Sequence, residues 1–166
     1  MALFYEDCVK AGPDLCPIYE PTIQQIEQRV NSVLERLKVE PIAFVNATTG
    51  TQGVVTYDVV KDVFFRVLYA PYELGPAFAS SFFALESGNP EPIWSASTAA
   101  SITQLLQGSC DAEVNKIIVD AFNTAAIGCG DAQPVNDSLE DLQVYYANLA
   151  SQSAFADLWS ARAVCS

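Results

Sequence analysis

The chain has 166 residues, 51% of them hydrophobic and 17% charged. That is enough apolar material for one domain with a buried core and too much for a disordered chain. Twenty acidic residues against eight basic ones give a formal charge of -12. That charge repels phosphate backbones and anionic bilayers, so neither nucleic acid nor a membrane is an expected partner. No apolar run approaches the roughly 18 residues that a membrane-spanning helix needs, and "MALFYEDCVK" lacks the basic and apolar regions of a signal peptide.

In chain order, "YEDCVKAGPDLC" sets Cys8 and Cys16 eight positions apart around a Gly-Pro turn. Pro21 is well placed to open a helix, whose apolar face runs Ile23, Ile26, Val30, Val33, Leu34 and Leu37. "PIAFVNATTGTQGVVTY" reads as a small β-hairpin over about residues 41–56, two β-branched or aromatic runs flanking a Thr/Gly turn. Thr56 caps the next helix, with Asp58 in its first turn and a stripe of Val60, Val63, Phe64, Val67 and Leu68. In "YAPYELGP", Pro71 and then Gly75-Pro76 break the pattern, and Pro76 opens a further helix carrying Phe78, Phe82, Phe83 and Leu85 up to Gly88.

"ESGNPEP" reads as a loop, and Thr98 to Gln107 as a shorter helix. Val114, Ile117, Ile118, Ala121 and Ala125 stripe another helix, and "GCGDAQPVND" reads as a loop. Asp137 to Glu140 has the Asp-x-x-Glu form of a capping box, and Leu139, Leu142, Tyr146 and Leu149 continue that helix. Phe155 to Val164 reads as a last helix. The fold class is therefore mainly α, six to eight helices with one small hairpin, in a single domain over residues 1–166.

The chain has no histidine. Ser-His-Asp and Cys-His catalysis are thereby excluded within it, and it carries no nucleophile elbow, P-loop or dinucleotide fingerprint. Acidic pairs arise by chance among so many carboxylates and read as solvated surface. The five cysteines, Cys8, Cys16, Cys110, Cys129 and Cys165, include no Cys-x-x-Cys, so a disulfide framework is a better reading than a metal site. The sequons at Asn46 and Asn136 point with the cysteines to an oxidising compartment and to glycosylation. No metal or cofactor is expected.

"FYEDCVKAGPDLC" resembles the opening of the cap, or lid, domain of secreted α/β-hydrolases of the tripeptidyl-aminopeptidase-like family, an aromatic residue followed by Cys-x-x-Ala-Gly-Pro-x-x-Cys. "IEQRVNSVLERLKVEPIAF" resembles that family's Leu/Arg-rich helix and Pro-led strand. "VVTYDVVKDVFFRVLYAPYELGPAFASSFFALESGNPEPIW" resembles its helix, Tyr-x-Pro-Tyr break and following helix. "AIGCGDAQP" and the terminal "ARAVCS" follow in the same order. In the family, the nucleophile lies upstream of the cap and the Asp and His lie downstream.

The resemblance thus implies an isolated helical lid of a secreted, peptidase-like serine hydrolase, with its catalytic domain as partner and self-association when that domain is absent. A lid gates and shapes a substrate cleft without catalysing anything alone. The other reading is a stand-alone helical module that binds an apolar small molecule or a protein.

Cys8 with Cys16 is the expected local disulfide, against two buried thiols. Cys129 with Cys165 is the expected second one, with Cys110 competing and otherwise left over. Tyr69, Tyr72 and Glu73 sit at the helix break; in a lid they overhang the cleft, and Glu73 pairs with a substrate ammonium group. The alternative is that the tyrosines pack in the core and Glu73 is solvated. Phe82 and Phe83 are further substrate-facing candidates, although core packing is the default for them and for Trp94.

Overall fold

The computed structural model describes residues 1–106, 123, 126–131 and 136–158. The chain is mainly helical, with one two-stranded antiparallel hairpin. It divides into two compact units, Met1–Ala100 and Ser101–Ser166.

The first unit opens with α1 (Ala2–Ala11), a helix absent from the predicted elements. Its N-terminus has no side-chain cap and its first turn no acid, so the usual start signals are missing. Tertiary contacts hold it instead. Phe4 meets the Phe64 and Phe78 rings edge-on, with centroids 5.4 and 5.7 Å away, and Tyr5 is fully buried. The helix ends at Gly12, whose φ of 78° suits glycine and ordinarily no other residue.

The next helix, α2 (Ile23–Val39), starts two residues after the predicted Pro21. Thr22 is the cap, and its hydroxyl accepts from the Gln25 N–H at 3.3 Å. Ile26, Val30, Val33, Leu34 and Leu37 form the buried face. The hairpin follows as β1 (Ile42–Val45) and β2 (Gln52–Val55), with Ile42 opposite Val55 and Phe44 opposite Gly53. The side-chain oxygen of Asn46 accepts from the Thr48 and Thr49 N–H groups, and Gly50 with φ 75° completes the turn.

Helix α3 (Tyr57–Val67) has Thr56 as its cap, donated to by the Val59 N–H, with Asp58 in the first turn. The following helix, α4 (Pro71–Glu86), corrects the sequence reading. It begins at Pro71 and runs straight through Pro76. Pro71 takes the first helical position, where proline loses nothing. Pro76 removes one backbone donor, but Phe78, Ala79, Phe82 and Leu85 bury one face of the helix and outweigh that loss.

A short helix, α5 (Glu91–Ser95), begins inside the predicted "ESGNPEP" loop and buries Ile93 and Trp94. The core of this unit centres on Tyr5, Ile18, Ile26, Leu37, Phe64, Phe78, Phe82 and Ile93, all less than 2% exposed. Phe64 and Phe78 stack at its middle, with ring centroids 4.4 Å apart. Helix α6 (Thr98–Leu106) starts at the end of this unit.

In the second unit, residues 126–131 are helical, so the predicted "GCGDAQPVND" loop begins too early. Gly128 and Gly130 cost the helix about 1 kcal/mol each relative to alanine, and the disulfide-bonded Cys129 lies between them. Helix α7 (Leu139–Gln152) is capped by Ser138 and Asp141, one residue beyond the predicted Asp137 and Glu140. The Ser138 hydroxyl accepts from the Asp141 N–H at 3.2 Å, while the Asp141 carboxylate accepts from the Ser138 N–H at 3.0 Å. The predicted last helix is a single 3-10 turn at Ala156–Leu158 as far as residue 158. The rest of it and the Val114 to Ala125 stripe lie outside the described residues. Among the described residues no helix is long and apolar enough to cross a membrane.

Candidate functional site

Two helix faces in the first unit border an open apolar groove of about 540 Å³. On α1 the face is Leu3, Phe4, Asp7, Cys8 and Ala11. On α4 it is Pro71, Tyr72, Gly75, Pro76 and Ala79. Both sets repeat three or four residues apart, as one side of a helix must. Met1, Ala2, Leu15, Cys16, Val67 and Leu68 complete the lining. The volume falls within the roughly 300–1,000 Å³ of small-molecule sites.

Local structure sets each wall. At the end of α3, the N–H groups of Leu68, Tyr69 and Ala70 bond to the carbonyls of Phe65, Arg66 and Val67, which tightens the corner before Pro71. Gly75 faces the Phe4 ring, and a Cβ there would sit 3.5 Å from it, in ordinary van der Waals contact. Opposite, a Cys8–Cys16 disulfide with Cα atoms 5.4 Å apart ties the turn after α1 back onto that helix. Within the turn, the Leu15 and Cys16 N–H groups both bond to the Gly12 carbonyl. Leu15 is thereby held in the lining although it is 77% exposed.

The chemistry available here is sparse. Asp7 is the one carboxylate in the lining, and no lysine or arginine lines the groove. Its contact with Lys10 at 3.8 Å is solvent-exposed and worth little. The two sulfurs are oxidised and the chain has no histidine, so no nucleophile stands beside a base. What the walls offer is apolar surface in a concave shape, which takes an apolar ligand or partner surface. Among the described residues no group of three or more His, Cys, Asp or Glu side chains could hold a metal ion.

Charged networks elsewhere in this unit are structural. Arg29 donates to both Glu86 oxygens and to Glu20. The hydrogen bonds to Glu86 chiefly, then the Glu86 and Glu20 charges, push the guanidinium's proton affinity up against the opposing cost of burial. Glu91 accepts from the Asn46 amide and from the Thr49 hydroxyl. Hydrogen bonding from Asn46 first, then Thr51 and Thr49, holds its carboxyl below the ordinary glutamate value. Burial, helped by the Glu27 charge, pushes the Tyr5 phenol up.

The predicted site residues are not gathered in one place. Tyr72 lines the groove and is 88% exposed, and Tyr69 is 76% exposed beside it in sequence. Neither tyrosine packs in the core, so that half of the alternative is overturned, while Glu73 is exposed as its other half has it. Glu73 is exposed but does not line the groove. Phe82 is buried in the core, and Phe83 is half-exposed about three turns beyond Tyr72 on α4. Cys8 and Cys16 are paired as expected. Cys129 is disulfide-bonded too, but Cys165 and Cys110 lie outside the described residues, as does the expected Cys129–Cys165 pairing. Asn46 is partly buried in the hairpin turn, whereas Asn136 is exposed ahead of α7.

The α1 face, Leu15 and Leu68 were missed as lining residues. The spacing of Leu3, Phe4, Cys8 and Ala11 was the available signal, hidden by reading the segment only as a cysteine loop. The chain matches no known protein-family model, no curated protein and no solved structure.

Proposed function

We propose that this chain is a lid module of a secreted, peptidase-like serine hydrolase, which covers and shapes a substrate cleft and supplies no member of the catalytic triad. The observation that carries the reading is the open apolar groove between α1 and α4, edged by the exposed Leu3, Leu15 and Tyr72 and holding no reacting pair. A lid needs such a surface, because its work is to exclude water and to contact the apolar part of a substrate. The ordered resemblance of the cysteine-flanked opening, the Tyr-Ala-Pro-Tyr corner and the helices around it supports the same reading.

The disulfide and the sequons at Asn46 and Asn136 are consistent with secretion and glycosylation. The hydrolase catalytic domain is the natural partner, and in its absence a second copy of the chain covers the exposed apolar residues.

A second reading, a stand-alone binding module, is favoured by one feature. The groove is concave and of small-molecule size rather than flat. Two measurements separate the cases. Purified chain should turn over neither fluorogenic peptides nor esters and should not react with a fluorophosphonate. Sequencing the parent transcript should then find a nucleophile elbow upstream and an Asp and a His downstream. A transcript with no hydrolase sequence on either side would leave the binding module as the better account, and turnover blocked by the fluorophosphonate would refute both.

A further inference from the structure

We draw no further inference here: the strongest candidate, the exposed apolar face that Val45 and Val54 present on the β1–β2 hairpin, carries nothing because nothing in the structure shows what covers it.

Discussion

Gly53 lies so close to Trp94 that a Cβ on the glycine would overlap the indole ring. Phe44, opposite Gly53 across the hairpin, meets the same ring edge-on at 5.8 Å. The hairpin therefore seats on α5 through one missing side chain and one aromatic pair. Gly53→Ala should destabilise the fold by about 1–3 kcal/mol, the usual cost of overpacking. Chemical denaturation of the two proteins measures this, and equal midpoints would show that the hairpin is free to lift away.

Asp62 reaches from α3 to cap α6. Its Oδ2 accepts from the Thr98 N–H at 2.8 Å and from the Thr98 hydroxyl at 2.9 Å, while Arg66 donates to that hydroxyl. Asp62→Ala strands both donors and should cost about 1–2 kcal/mol. Asp62→Asn keeps an acceptor oxygen and should recover part of that. Thermal unfolding of the pair gives the order, and an alanine variant as stable as the parent would remove the cap from the account.

Glu91 ties the hairpin turn to α5 through Asn46 and Thr49, and its carboxyl is held below the ordinary value. A lowered folded value means that the unfolded chain takes up the proton first. The stabilisation is thus fully present above the unfolded value of about 4.3 and is lost as the pH falls through the lower folded one. Unfolding midpoints between pH 7 and pH 3 should fall less steeply for Glu91→Gln than for the parent. Parallel curves would rule the linkage out.

Helices with a strong pattern and a capping residue were legible in the sequence. The stripe from Ile26 to Leu37 forms the buried face of α2, and Thr56 caps α3. The hairpin was equally plain, because alternation on either side of a Thr/Gly turn has few other solutions. What stayed hidden was set by tertiary contact. Helix α1 has no capping signal and depends on the packing of Phe4 and Tyr5 against the core. Pro76 looked like a helix start because its local cost is visible in sequence, whereas the burial of Phe78, Phe82 and Leu85 that offsets it is not. The groove was illegible for the same reason. Tyr72 and Phe82 are both aromatic residues of one helix, and the fold alone decides that one faces solvent and the other the core.

Exposed apolar residues at Leu3, Leu15, Tyr69 and Tyr72 should make the isolated chain associate. Each Å² covered contributes about 25 cal/mol, and the opposing net charge of -12 is screened by salt. Light scattering should show a mass that rises with ionic strength, and Tyr72→Lys should reduce it. A strict monomer at high salt would mean that this face is not sticky enough to need a partner.

The central claim is that the groove between α1 and α4 binds apolar surface. Titration of N-phenyl-1-naphthylamine into the parent chain, Leu15→Asp and Leu68→Asp tests it most directly. Leu15 and Leu68 are 77% and 45% exposed, so both variants should fold. The account predicts saturable binding to the parent and at least tenfold weaker binding to each variant, with unchanged circular dichroism. Binding of equal strength in all three proteins would contradict it.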